Sequence, residues 1–103
     1  MYDTEHVLPT DHLRNRAVMG RVLQVHRGVE CAEVGDTFEA YGSRFEVTDV
    51  TERTIGDLET ADARKEEMTS VEKLLGRLKM DYDEEIDEDT TVYRYKYQRN
   101  PDM

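Results

Sequence analysis

Side chains of the types that most often bind metals are few in this sequence. Three histidines, His6, His12 and His26, and one cysteine, Cys31, all lie in the first third of the chain. Zinc sites usually combine ligand pairs at short spacing, and neither a Cys-x-x-Cys nor a His-x-x-x-His pair is present. A lone cysteine is more often a small buried apolar residue, and it cannot form an internal disulfide. We therefore expect no metal and no cofactor.

Two further patterns could bind a ligand, but each also has a structural interpretation. The segment 83–89 contains acidic residues at every position except Ile86. It lacks the glycine of a calcium-binding loop, so we interpret it as a solvated loop. Tyr93, Tyr95 and Tyr97 alternate along a predicted strand. Such a stripe could stack the bases of a single strand, but we interpret it as core with hydroxyl groups at the rim of the fold.

The balance of charge limits the classes of partner. The 103 residues suffice for one domain and contain 24 acidic and 14 basic side chains, which gives a formal net charge of -10. This balance excludes a simple cationic protein that coats DNA by neutralising phosphates. Few of the basic residues are lysines, and an acidic, lysine-poor surface suits concentrated salt, as in a halophilic archaeon. A local basic groove could still bind nucleic acid on such a body.

The sequence also predicts location and domain limits. The first ten residues lack the apolar core of a secretion signal, and no stretch approaches the roughly 20 apolar residues that span a bilayer. We expect a cytoplasmic protein that contacts no membrane, with a monomer as the default state. We expect residues 1–9 to form a flexible N-terminal arm, 10–98 to form the domain, and 99–103 to be a frayed C-terminus.

Hydrophobic periodicity predicts the element order α-β-β-β-α-α-β. Thr10 and Asp11 can cap a first helix, which Gly20 ends. β-Favouring runs follow at 22–26, 37–40 and 45–55. A short charged helix at 60–67 precedes a capping box of Thr69 and Glu72. The next helix buries apolar residues at helical spacing, namely Val71, Leu74, Leu75 and Leu78. A strand at 90–97 completes an order that favours a small mixed barrel flanked by helices.

The segment 20–27 carries a resemblance to a known family. Its sequence, Gly-Arg-Val-Leu-Gln-Val-His-Arg, resembles the opening motif of ASCH domains, in which glycine is followed by any residue, lysine, four residues and arginine. The similarity continues in order and spacing through Gly35, Asp36 and Phe38 and the segments 45–47, 66–69 and 91–97. It covers residues 10–98. It implies an α+β, PUA-like small mixed β-barrel of about five strands flanked by two or three helices.

The resemblance implies recognition of RNA or a modified nucleoside in a cleft between the barrel and its first helix. The small bacterial acetylcytidine amidohydrolases are similar in length and element order, and their catalytic glutamate corresponds to Glu66. Their lysine corresponds to Val22, however, and their proposed threonine nucleophile to Val25. Without these two groups, acyl transfer lacks its nucleophile and its positive partner. We therefore expect a non-catalytic domain that binds RNA or a modified nucleoside.

Two other functions stay open at this point. One is an amidohydrolase or RNA-processing hydrolase with a rearranged active site. The other is a protein-interaction module whose acidic surface meets a basic partner. The valines at positions 22 and 25 argue against the first alternative, and a basic rim around the cleft would argue against the second.

The resemblance also indicates a set of site residues. A glycine at the motif start lets a ligand approach the backbone, an arginine offers a planar fork to phosphate or a base edge, and a glutamate across the cleft could act on protons. Neighbouring amide and imidazole groups could read a base or act as a general base. The predicted site is Gly20, Arg21, Gln24, His26, Arg27 and Glu66.

Three of these residues also have structural interpretations. His26 could satisfy a hydrogen bond at the end of a strand, and Arg27 could pair with one of the many carboxylates. Glu66 could be a solvated glutamate at a charged helix end. The position of each side chain relative to solvent decides between the two interpretations.

Overall fold

The computed structural model describes residues 7, 8 and 10–99. The element order of these residues confirms the predicted α-β-β-β-α-α-β. In chain order the elements are α1 (Asp11–Val18), β1 (Gln24–Arg27), β2 (Thr37–Ala40), β3 (Ser43–Thr54), α2 (Thr60–Lys65), α3 (Val71–Leu78) and β4 (Thr91–Arg99). Short 3-10 turns follow β3 at Ile55–Asp57 and α3 at Lys79–Asp81. No helix in the described ranges is long and apolar enough to cross a membrane.

The strands form one antiparallel sheet in the order β1-β4-β3-β2, which curls into a half-barrel. The α+β class and the flanking helices are as expected. The described residues form four strands rather than about five, and every pairing is antiparallel rather than mixed. The β-branched run after position 43 is a single long strand, which pairs with β2 and β4. Its register shifts between Val47 and Asp49, and such an irregularity lets a strand bend.

The larger apolar core lies between the sheet, α1 and the segment before α1. Phe38 and Phe45 stack with ring centroids 5.4 Å apart, and Tyr97 meets both rings edge-on. Val7 and Leu8 are fully buried in this core. These two residues therefore belong to the packed domain rather than to a flexible arm, because their aliphatic side chains are removed from water. The rest of the expected arm, and residues 100–103, lie outside the described residues.

A second core joins α2 and α3 to the far end of the sheet. Its buried members are Ile55, Leu58, Ala63, Leu74, Leu78 and Val92. The helix α3 begins one residue later than the predicted capping box. The hydroxyl of Ser70, rather than that of Thr69, accepts a hydrogen bond from the Lys73 amide at 3.3 Å. This geometry fixes where α3 begins and brings Arg77 towards β1.

The tyrosine stripe of β4 is mostly core. Tyr95 and Tyr97 are buried. The Tyr95 hydroxyl donates to the Val29 carbonyl at 3.0 Å, and the Tyr97 hydroxyl donates to the Val22 carbonyl at 3.0 Å. Burial raises the pKa of both hydroxyls. The core interpretation is confirmed for these two residues, and base stacking on them is wrong because their rings are enclosed.

Candidate functional site

A cleft opens where the turn after α1 meets β1, β4 and the end of α2. Its volume is about 330 Å³. The residues that line it are Gly20, Arg21, Leu23, Gln24, Lys65 and Lys96. Gln24 and Lys96 are partners in the β1–β4 pairing, so the sheet register itself brings these two residues together at the cleft. We call this feature the cleft.

The turn at Gly20 shapes one wall of the cleft. The Gly20 amide donates to the Ala17 carbonyl and the Arg21 amide to the Arg16 carbonyl, both at 2.9 Å. These two bonds form a Schellman motif, which ends α1. The glycine has a φ of +75°, in the left-handed region that side chains with a Cβ rarely adopt. The turn thereby directs the chain into β1 and places Arg21 at the mouth of the cleft.

The cleft is locally basic on a strongly acidic chain. Three of its six lining residues are cationic, and two of these are lysines. The side chain of Arg21 is 55% exposed and forms an ion pair with Glu67, at 2.9 Å between Nη2 and Oε1. Lys65 and Lys96 form no ion pair with any side chain in the described part of the chain. Their positive charge is therefore available to an anionic ligand.

Gln24 supplies an uncharged recognition group at the cleft. The residue is only 5% exposed, and within the described residues its amide nitrogen has no hydrogen-bond partner. A buried donor without a partner costs about 1–3 kcal/mol. Such a donor is suited to an acceptor atom that a ligand brings.

Two of the other predicted site residues, His26 and Glu66, lie beneath the surface in a buried polar network, which also includes Arg53, Asp62 and Arg77. His26 and Glu66 are fully buried. Glu66 Oε1 accepts from the His26 amide at 3.1 Å and from Arg77 Nη2 at 2.6 Å. Arg77 Nη2 also donates to the His26 carbonyl at 2.9 Å. These side chains satisfy the outer backbone groups of β1, which is an edge strand.

The ring of His26 is held at both nitrogens. Its Nδ1 lies 2.6 Å from Glu66 Oε2, and its Nε2 lies 3.2 Å from Arg53 Nη1. A guanidinium can only donate hydrogen bonds, so Nε2 must be the acceptor. The ring proton therefore lies on Nδ1, which donates a hydrogen bond to Glu66. Arg53 Nη1 is also 2.9 Å from Asp62 Oδ1. Burial alone would raise the pKa of Asp62, but hydrogen bonds from Arg53 and the Glu59 amide, together with the charge of Arg53, outweigh it and lower that pKa.

This arrangement limits what the network can do chemically. A general base needs a lone pair within reach of the substrate. Both nitrogens of His26 are already engaged, and neither His26 nor Glu66 contacts solvent. The interpretation of His26 as a hydrogen-bonded strand residue therefore fits the structure. The alternative interpretation of Glu66 as a solvated glutamate is wrong, because Glu66 is enclosed by its partners.

Arg27 also lies in a mostly buried ion pair. Its Nε and Nη2 donate to the two carboxylate oxygens of Asp81, at 2.8 and 2.9 Å, and the Gly28 amide donates to the same carboxylate at 2.9 Å. Both side chains are mostly buried. Burial would raise the pKa of Asp81, but hydrogen bonds from Arg27 and Gly28 outweigh it and lower that pKa. Arg27 therefore fastens the turn after α3 to the end of β1.

The structure divides the predicted site into two groups. Gly20, Arg21 and Gln24 line the cleft, whereas His26, Arg27 and Glu66 do not. Sequence reasoning missed three lining residues, Leu23, Lys65 and Lys96. The scarcity of lysine was a usable signal, because an isolated lysine on an acidic chain is conspicuous.

Among the described residues, no group of three or more His, Cys, Asp or Glu side chains is placed to hold a metal ion. His6 lies outside them. Cys31 is buried and unpaired. Burial raises the pKa of its thiol, which disfavours the reactive thiolate.

Two solved structures resemble this fold. One is the crystal structure of a protein from Enterococcus faecalis V583, described under the family model DUF984; its TM-score is 0.64 at 11% identity, over 85% of this chain and 66% of that one. The other is an ASCH domain from Lactobacillus crispatus JV V101, with a TM-score of 0.64 at 14% identity, over 84% of this chain and 69% of that one. No family model and no curated protein matches the sequence. The fold is therefore ASCH-like.

Proposed function

We propose that this chain is a non-catalytic domain that binds RNA or a modified nucleoside in the cleft. The observation that carries the proposal is the local charge. Arg21, Lys65 and Lys96 meet at one cleft on a chain whose formal net charge is -10. Elsewhere an acidic surface repels nucleic acid, so a local basic groove defines where a phosphate can bind.

The lining residues support recognition of a nucleotide rather than of an anion alone. The ammonium groups of Lys65 and Lys96 can neutralise phosphate oxygens. The exposed side chain of Leu23 offers apolar surface to a base or ribose. Gln24 can donate to a carbonyl on a base edge. The ASCH-like fold supports the same class of partner.

Catalysis is disfavoured by the identity and burial of the motif residues. Val22 and Val25, at the positions of the amidohydrolase lysine and threonine, are both fully buried. The glutamate at the position of the catalytic acid is enclosed by Arg77 and His26. A hydrolase with a rearranged site would need a nucleophile from elsewhere, and the cleft lining contains no Ser, Thr, Cys or carboxylate.

A protein-interaction module is the remaining alternative. The surface that such a module would use is a second pocket, which is lined by Glu30, Glu33, Glu52 and apolar neighbours. This surface would take a basic partner, whereas the cleft would take an anionic one. Binding assays with single-stranded RNA separate the two.

The experiment compares three lysine substitutions that change net charge equally. Lys65→Gln and Lys96→Gln remove charges from the cleft, whereas Lys73→Gln removes an exposed charge on α3. We expect each cleft variant to weaken binding of a single-stranded RNA about three- to tenfold. We also expect the slope of log affinity against log salt to fall by about 0.7. Fluorescence anisotropy over a salt series measures both quantities.

The control decides the outcome. Lys73→Gln should change the affinity less than twofold. Equal losses of affinity in all three variants would mean that RNA binding depends only on the net charge of the protein. The cleft would then not be the binding site. If the wild-type protein binds no RNA and no nucleoside at low salt, the proposal is wrong.

A further inference from the structure

The residue Glu67 occupies an unusual backbone position beside the cleft. It follows α2 with a φ of +57°, in the region that favours glycine. The Glu67 amide donates to the Arg64 carbonyl at 3.0 Å and the Met68 amide to the Ala63 carbonyl at 2.8 Å. These bonds form a second Schellman motif, with a glutamate where glycine is preferred. Both bonds are formed by backbone groups alone, so the turn itself does not require the carboxylate.

The carboxylate of Glu67 lies where positive groups converge. Its Oε1 is 2.9 Å from Arg21 Nη2, and its Oε2 is 2.7 Å from Arg16 Nε. His12 Nε2 lies 4.0 Å away. Two guanidinium groups, one from α1 and one from the mouth of the cleft, thus share one anion. Paired guanidinium groups are well suited to phosphate oxygens.

The fit between Glu67 and these arginines is incomplete. Arg16 Nε is buried and, within the described residues, makes no hydrogen bond of good geometry despite the short ion-pair distance. A phosphate has more acceptor oxygens than a carboxylate and could satisfy this donor. The side chain of Glu67 is 21% exposed, so a ligand can approach it from solvent. Its neighbour Glu66 is fully buried and is closed to a ligand.

We infer that Glu67 is a specificity-determining residue, whose carboxylate competes with a ligand phosphate for Arg16 and Arg21. This inference rests on the proposed function. The two guanidinium groups that Glu67 occupies narrow the ligand class to molecules that carry a phosphate, such as RNA or a nucleotide, rather than free nucleosides. A phosphate displaces the carboxylate and gains both guanidinium groups, whereas an uncharged nucleoside leaves the ion pairs in place.

The test substitutes Glu67 and uses matched probes with and without phosphate. Glu67→Gln removes the negative charge and keeps the shape. We expect it to raise the affinity for uridine 5′-monophosphate about three- to tenfold. We expect the affinity for uridine to change less than twofold. NMR titration of both probes at fixed ionic strength measures the two affinities on the same protein.

Two further variants control for charge and folding. Glu39→Gln removes a carboxylate that pairs with Arg44 at the opposite edge of the sheet, and it makes the same change in net charge. It should leave both affinities unchanged. Glu67→Gly removes the carboxylate and suits the positive φ, so it provides a well-folded second test. It should reproduce the gain in nucleotide affinity.

The outcomes separate this inference from the proposed function. If Lys96→Gln weakens nucleotide binding but neither Glu67 variant strengthens it, Glu67 is not a competitor and only the inference is wrong. An equal gain with Glu39→Gln, or a loss of affinity in both Glu67 variants, also overturns it. If Lys96→Gln leaves nucleotide binding unchanged, the proposed cleft itself is wrong.

Discussion

The cleft and the buried polar network lie close together in the sequence, yet they use charge in opposite ways. In the network, Glu66 and His26 are enclosed and each polar atom of the pair has a protein partner. In the cleft, Lys65 and Gln24 present groups that lack such partners among the described residues. Lys65 and Glu66 are adjacent in the chain. Residue type therefore says little about function until burial and pairing are known.

The same contrast separates the two neighbouring glutamates. Glu66 is a fully buried partner of Arg77, and Glu67 is a partly exposed partner of two arginines. Loss of a buried partner leaves an uncompensated charge away from water, whereas a partly exposed ion pair contributes little. We therefore expect substitution of the buried glutamate to have the largest effect on the free energy of unfolding.

Glu66→Ala should lower the free energy of unfolding by about 3–5 kcal/mol, because it leaves the buried charge of Arg77 without its carboxylate and the His26 ring and amide without their acceptor. Glu67→Ala should lower it by only about 0–1 kcal/mol. Urea denaturation of both variants measures the two losses. Comparable losses would mean that the network is no more important for stability than a surface ion pair.

Arg27→Ala should come next, with a loss of about 2–3 kcal/mol, because Asp81 keeps its charge in a mostly buried place. RNA affinity of the folded variant should stay within twofold of the wild type, since Arg27 does not line the cleft. The two quantities are measured on one preparation, by denaturation and by anisotropy. A large loss of RNA affinity with unchanged stability would mean that Arg27 contacts the RNA.

Lowering the pH should weaken the Arg27–Asp81 ion pair, with a smaller loss of stability than Glu66→Ala or Arg27→Ala. The pKa of Asp81 is lower in the folded protein than in the unfolded chain, despite burial, because Arg27 and Gly28 stabilise the carboxylate. Its stabilisation is therefore complete above the ordinary aspartate pKa of about 3.9 and is lost as the pH falls below that value. The stability of Asp81→Asn should fall less steeply in this window. Parallel stability curves for the variant and the wild type, recorded by denaturation from pH 7 to 3, would contradict this.

The last prediction is negative: the protein should not hydrolyse acetylcytidine. Val22 and Val25 stand where the amidohydrolases that the sequence resembles have lysine and threonine, and Glu66 is enclosed. Product formation from acetylcytidine, followed by chromatography, should equal a control without protein. Turnover above the control that Glu66→Gln abolishes would mean that other residues have rebuilt an active site around the network.

The fold was largely predictable because it depends on local patterns. Thr10 accepts a hydrogen bond from the Leu13 amide as a helix cap, Gly20 ends α1, and Phe45 and Val47 alternate inwards along β3 as their periodicity indicates. The site was predictable only in part. Gly20, Arg21 and Gln24 belong to one continuous segment, so a motif could find them.

The remaining lining residues and the network depend on contacts between distant segments. Lys96 reaches the cleft through its pairing with Gln24, and sequence alone does not give that register. Glu66 meets His26 across a separation of 40 residues. Its burial results from Arg77, which α3 presents from the other side. Local composition predicted the opposite, because Glu66 lies in a charged helix end.

An NMR titration of the wild-type protein with a short single-stranded RNA tests the central claim most directly. We expect the largest shifts of backbone amide signals at Gly20, Arg21 and Gln24, and little change in the amides of Glu30 and Glu33 at the acidic pocket. Shifts centred on the acidic pocket, or no shifts at low salt, would contradict the claim that the cleft binds RNA.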